Sequence, residues 1–174
     1  MNLTINTLES VILIHFYSAA IIAIIIDQVS KYLVRASLEV GDTLIVWEGI
    51  LHFTHYQNSG AALGLFEGYG RLFVPVAIIV VGIFIYMHKK GHIYGVIMEL
   101  GSGLYIGGAI GNAIDRIVFN QVTDFINFQS GGGILNLADY ALNVGIVLIL
   151  VDSIILEPVK KKRAEINRFI KESN

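Results

Sequence analysis

Residues 107–139 read GGAIGNAIDRIVFNQVTDFINFQSGGGILNLAD, a stretch that sets Asp115, Asp124 and Asp139 between two apolar segments. The apolar segments read as membrane helices. The three glycines at 131–133 supply a turn on which the chain can fold back. Asp124 and Asp139 lie on either side of that turn, so the fold it implies brings two carboxylates face to face at one end of a helix pair.

Working outward, composition supports a chain written for lipid. Of 174 residues 55% are hydrophobic and 15% charged, the mean hydropathy is +0.68, and there are only two prolines. A soluble domain of this length carries far more charge. A net charge of −2 gives no electrostatic case for nucleic acid. Without cysteine the chain has no disulfide framework, thiol nucleophile or thiolate metal site.

Four apolar stretches read as spanning helices, at about 11–30, 72–87, 93–114 and 134–155; the apolar run of the first, 11–26, is slightly short of a span and is completed by its flanking residues. The third carries Gly103, Gly107 and Gly111 at every fourth position, a small-residue ridge for close helix packing. Between the first two, residues 41–58 are rich in β-branched and aromatic residues but too polar to span, and predict a hairpin of two strands outside the membrane. Trp47 and Tyr56 in it suit the headgroup region. His52 and His55 are three apart, which on a strand points them to opposite faces and argues against chelation. His88 and His92 are separated by Gly91, so a topology role outweighs metal binding there too.

Lysine and arginine are unevenly spread. Residues 88–92 carry two and residues 156–171 carry six, against two in 34–71 and one in 115–133. The positive-inside rule therefore places both termini and the short 88–92 connection in the cytoplasm, with the loops at about 34–71 and 115–133 outside. The expected fold is an all-α membrane bundle of four transmembrane helices with a small extracytoplasmic β-sheet, in a single domain over residues 1–174.

Two carboxylates held close titrate as a unit, leaving one acid and one base near neutrality. That is the requirement for hydrolysing a peptide bond with a water placed between them, without metal, cofactor or covalent intermediate. Other protease chemistries find little to use here: no HExxH, no GxSxG, and Ser30 and Lys31 are adjacent and cannot face each other on a helix. Helix capping and loop polarity are the plain alternative for Asp124 and Asp139. Asp27 and Lys31, four apart, read by themselves as a surface ion pair. Asp115 and Arg116 read as a structural pair whose guanidinium can hold carbonyls, carboxylates or lipid phosphate.

The ordered set DQVSK at 27–31, NSGAALG at 58–64, GNAIDR at 111–116, VTDF at 122–125 and NLAD at 136–139 resembles lipoprotein signal peptidase, or signal peptidase II, over roughly residues 20–155. The resemblance implies an aspartyl endopeptidase of the bacterial cytoplasmic membrane that cuts prolipoproteins just before a diacylglyceryl-modified cysteine, next to the outer leaflet. It implies Asp124 and Asp139 as the catalytic dyad. It also implies Asn112, Arg116 and Asn136 as residues lining the site, and Asp27, Lys31, Asn58 and Gly60 as supporting it or contacting substrate. A β-sheet cradle outside the membrane and binding of the cyclic peptide globomycin follow from the same likeness.

Against this stands a small proton-coupled or ion-conducting transporter using Glu99, Asp139 and Asp152 as intramembrane carboxylates. Four helices without an internal repeat are few for transport, and no GxGD motif supports a presenilin-type protease.

Overall fold

The computed structural model describes residues 2–60, 66–159, 162 and 165–166. Residues 61–64 of the NSGAALG segment and most of the basic C-terminal cluster, Lys160, Lys161 and Arg163 among them, lie outside the described residues. The described chain is mostly helical, with a small sheet: α1 (Asn2–Ser37), β1 (Thr43–Trp47), β2 (Leu51–Asn58), α2 (Phe73–Lys89), α3 (Val96–Phe119), β3 (Val122–Phe128), β4 (Ile134–Leu135) and α4 (Leu137–Val151). The last helix continues through a π-helical turn at Asp152–Leu156.

Two boundaries differ from the sequence reading in ways that matter for the site. Helix α1 runs to Ser37 instead of ending near residue 30, because Asp27, Lys31 and Val34 are buried on the face it turns to the bundle and do not mark its edge. Helix α3 runs to Phe119, so Asp115 and Arg116 are helical and Asp124 follows the helix by five residues instead of ten. Asn120, in the left-handed conformation at φ 63°, ends α3 by returning its N–H to the Arg116 carbonyl.

Among the described residues, three helices are long and apolar enough to cross a membrane: Ile14–Ser37, Gly70–Lys89 and Leu137–Val159. Helix α3 falls short of that composition, and its position explains why. It packs against α1, α2 and α4, and it buries Glu99, Ser102, Asn112 and Asp115 together with five glycines. A helix enclosed by others has no need of an apolar surface all round.

Without a strong hydrophobic drive between helices in lipid, close contact depends on small residues. A Cβ on Gly103 would sit 2.4 Å from the Phe16 carbonyl oxygen, and one on Gly107 2.8 Å from that of Ala20. Gly101 and Gly108 make the same kind of approach to α4, at Leu148 and Ala138. Both backbones are regular helix and cannot retreat. Gly103→Val is therefore expected to destabilise the protein by about 1–3 kcal/mol, through overpacking. Gly82→Ala on α2, where a Cβ meets only open space, should be neutral. Thermal unfolding of the detergent-solubilised variants checks both; equal midpoints would disprove the tight α1–α3 seam.

The sheet is antiparallel in the order β1-β2-β3-β4. The β3–β4 turn uses Gly131, Gly132 and Gly133 at φ 97°, 107° and 83°, where a side chain would be strained. Val34, Phe125 and Ile126, with Phe53, Leu137 and Tyr140 against them, fasten the sheet to α1 and α4. A separate core of Phe16, Ala20, Ile93 and Ile106 joins the opposite ends of the helices.

Candidate active site

Asn136 organises the site. It is the N-cap of α4, in extended backbone at φ −130°, and forms a capping box with Asp139. Its side-chain oxygen accepts the Asp139 N–H at 2.9 Å, and its own N–H reaches the Asp139 carboxylate at 3.2 Å. Asp139 is thus in the first turn of α4, closer to the helix start than the sequence placed it. With its oxygen occupied, the Asn136 amide has only N–H to offer, and it donates to Asp124 Oδ1 at 2.5 Å. The two acids are linked through this one asparagine.

The same logic recurs twice. Asn58, at the end of β2, accepts the Gly60 N–H at 3.0 Å and donates to Asp124 Oδ2 at 2.9 Å. Asn112, on α3, accepts from Lys31 Nζ at 2.9 Å and donates to Asp139 Oδ1 at 2.8 Å. Each amide is fixed in orientation by a donor on its oxygen, so all four carboxylate oxygens of the pair receive an N–H. Arg116 completes the wall. Its guanidinium bonds the Gly60 carbonyl at 3.2 Å and lies over the Phe73 ring at 5.1 Å. Asn112, Arg116 and Asp139 open onto a cleft of about 310 Å³ among α2, α3 and α4, whose other walls include Phe73, Ala77 and Leu142.

Behind the pair lies a buried charge network. Lys31 Nζ is 2.9 Å from Asp27 and 3.6 Å from Asp115, and all three side chains are fully buried. The surface ion pair read from Asp27 and Lys31 is thereby corrected: the helix turns this face to α3 and α4, not to water. Asp27 Oδ1 also accepts the Ala138 N–H at 2.9 Å, capping α4 from a different helix. Gln28 donates to Asp27, to the Gly111 carbonyl and to Asp115. Asp115 accepts the Thr123 N–H at 3.0 Å. It supports the site more deeply than the sequence reading of Asp115 and Arg116 as a neighbouring pair allows.

All nine residues singled out from the sequence, Asp27, Lys31, Asn58, Gly60, Asn112, Arg116, Asn136, Asp124 and Asp139, converge here. Sequence reasoning misses Gln28, Arg35, Asp115 and Thr123 as parts of the site. A signal exists for two of them, since Asp27, Gln28, Lys31 and Arg35 form one polar stripe along an otherwise apolar helix. His55 and Glu99 stay apart from the site. His55 bonds the Leu38 carbonyl at 2.8 Å, and Glu99 is 3.5 Å from His15, at a different place in the bundle.

Burial pushes the Asp124 carboxyl up to about 6; the Asn58 bond works against this, and the charge of Asp139 works with it. Strand β3 thus presents an acid able to hold its proton in mildly acidic solution, beside a second carboxylate.

The sequence profile described as Signal peptidase (SPase) II matches residues 19–155. A lipoprotein signal peptidase of Shouchella clausii is 36% identical over 148 residues, covering 85% of this chain and 97% of the relative. One from Listeria monocytogenes serotype 4a is 38% identical over 140 residues, covering 79% and 91%. A solved bacterial membrane enzyme, determined by the in meso method at 2.3 Å, superposes with a TM-score of 0.75 at 32% identity, over 83% of this chain and 88% of that one. These likenesses favour the peptidase over the transporter, and the chain belongs to the signal peptidase II family of membrane aspartic peptidases.

Proposed function

We propose that this chain removes signal peptides from bacterial prolipoproteins by hydrolysing the bond just before a diacylglyceryl-modified cysteine, with Asp124 and Asp139 as the catalytic pair. The observation that carries the assignment is the set of locked amides: three asparagines from three elements, each turned so that its N–H meets one of these two acids. Asp139 is the base. It takes a proton from water as the water oxygen attacks the scissile carbonyl carbon, while protonated Asp124 gives its proton to the carbonyl oxygen. As the C–N bond breaks, the proton on Asp139 passes to the leaving amine and Asp124 regains one from the tetrahedral hydroxyl. Asn58, Asn112 and Asn136 hold the carboxylates in place; Arg116 and Gly60 border the substrate's path; Asp27 and Lys31 support from behind.

All four helices span in this reading, α3 at the centre, within one integral membrane domain over residues 1–174. Both termini and the 88–92 connection lie in the cytoplasm, and the sheet rests at the outer surface. Exposed Trp47 and Ile45 on β1 suit the headgroup region. A doubly acylated substrate then reaches the acids laterally from the outer leaflet, and globomycin competes for the same cleft.

Purified protein in detergent should cleave a diacylglyceryl-modified peptide before the modified cysteine, and leave the unmodified peptide intact. Product masses decide, and cleavage elsewhere or of both peptides would overturn the assignment. The pH dependence follows with its sign. The active pair holds one proton, and that form is lost as pH rises through the Asp124 value of about 6, so kcat/KM should fall above it. Bound substrate buries Asp124 further and raises that value, so the falling limb of kcat should lie at higher pH than that of kcat/KM.

A further inference from the structure

Arg35 belongs to none of the motifs above, yet its side chain reaches the strand that carries Asp124. Its Nη1 donates to Thr123 Oγ1 at 2.9 Å and lies 3.6 Å from Asp115 Oδ1, with the guanidinium over the Phe119 ring at 4.6 Å. Thr123 is the residue immediately before Asp124, and it is buried. Its own N–H is taken by Asp115 Oδ2.

The need for such a hold is visible in the sheet. Strand β2 supports β3 on one side, pairing Tyr56 with Asp124 and Gln57 with Thr123, but its register is interrupted between Phe53 and Tyr56. On the other side β4 pairs with β3 only at Ile126 and Asn127. At residues 122–124 the edge turned from β2 therefore meets side chains where a strand would otherwise bond it. Asp115 supplies the acceptor for the backbone, and Arg35 fixes both Asp115 and the Thr123 hydroxyl.

Charge points the same way. Asp27 and Asp115 are balanced by Lys31 and Arg35, so the network is neutral only with Arg35 in place.

We infer that Arg35 is a positioning residue for the hydrolysis, acting through Thr123 and Asp115 to hold β3 where Asp124 meets Asn58 and Asn136. The inference rests on the reading of Asp124 as catalytic. Misplacing a reacting group by a fraction of an ångström to an ångström costs roughly ten- to a hundredfold in rate. Removal of this hold acts on the acid and not on the cleft that binds substrate.

The test is a cycle of Arg35→Met, Thr123→Val and the double variant, assayed on the diacylglyceryl-modified peptide, with Thr123→Ser and Asp124→Asn alongside. Each single variant should lose about tenfold or more in kcat, with KM within about twofold of wild type. The double should lose no more than the worse single, because both remove one contact. Thr123→Ser, which keeps the hydroxyl, should stay near wild type. Near-normal kcat in the folded single variants, losses that multiply in the double, or a change confined to KM would each overturn the inference. If Arg35→Met does not fold, the contrast between Thr123→Val and Thr123→Ser decides alone. An active Asp124→Asn enzyme would instead overturn the catalytic pair, a failure distinct from a dispensable Arg35.

Discussion

Asp124→Asn and Asp139→Asn are each expected to lower kcat by about three orders of magnitude, the middle of the range for loss of a positioned acid or base. Asparagine keeps the shape but neither gives nor takes the proton. The substitution is not structurally silent, however. Asp124 receives an N–H on each oxygen, from Asn136 and Asn58, so an amide at 124 must set its own NH2 against one of these donors. That clash costs about 1–3 kcal/mol, and a sceptic can blame the lost activity on it.

A second change separates the two effects. In Asp124→Asn with Asn58→Asp, the new amide donates to the new carboxylate, which still accepts the Gly60 N–H as the Asn58 oxygen does in the wild type. Thermal unfolding of this double variant should return toward wild type, while cleavage stays absent because the acid has moved off β3. Recovery of activity together with stability would show that Asp124 is only a packing element. For Asp139 the corresponding control is direct. Its Oδ2 accepts the Asn136 N–H, so Asp139→Asn can preserve the capping box through its remaining oxygen, and its stability loss should arise mainly at Asn112.

Much of this arrangement is legible in the sequence, for local reasons. The glycines at 131–133 announce a turn because their positive φ angles admit little else, and that turn is what returns Asn136 and Asp139 to Asp124. The glycines of α3 announce close packing because residues without a side chain let two helix backbones approach. The hairpin of β1 and β2 follows from β-branched residues too polar to span. What is not legible is long-range. Lys31 and Asn112 are 81 residues apart, and Asp27 and Ala138 111 apart; no periodicity links such pairs. The polar stripe of α1 reads as the end of a membrane helix because charge usually marks water, whereas here it marks the buried side. The same inversion affects α3, whose composition falls short of a span because its neighbours, not lipid, cover it.

Lys31→Met should be the most damaging change away from the two acids. The lysine is fully buried, 2.9 Å from Asp27 and 3.6 Å from Asp115, and methionine fills similar volume without the charge. Breaking one side of a buried pair leaves the partner uncompensated and costs about 3–5 kcal/mol. Arg35 still faces Asp115, so the stranded group is Asp27, which also caps α4 through the Ala138 N–H. The loss therefore reaches the helix that carries Asp139. A second effect is separate from stability. With Nζ gone, the Asn112 oxygen loses its fixed donor and the amide is free to turn its oxygen toward Asp139, where it repels a carboxylate it had been holding. Asp27→Asn together with Lys31→Met removes both buried charges and should restore much of the unfolding midpoint, since a neutral pair of similar shape is close to isoenergetic with the ion pair. It should not restore kcat, because the Asn112 amide remains unlocked. If the double variant regains full cleavage, Lys31 serves only to balance Asp27. If Lys31→Met alone keeps both midpoint and cleavage, the network behind the two acids does not hold them.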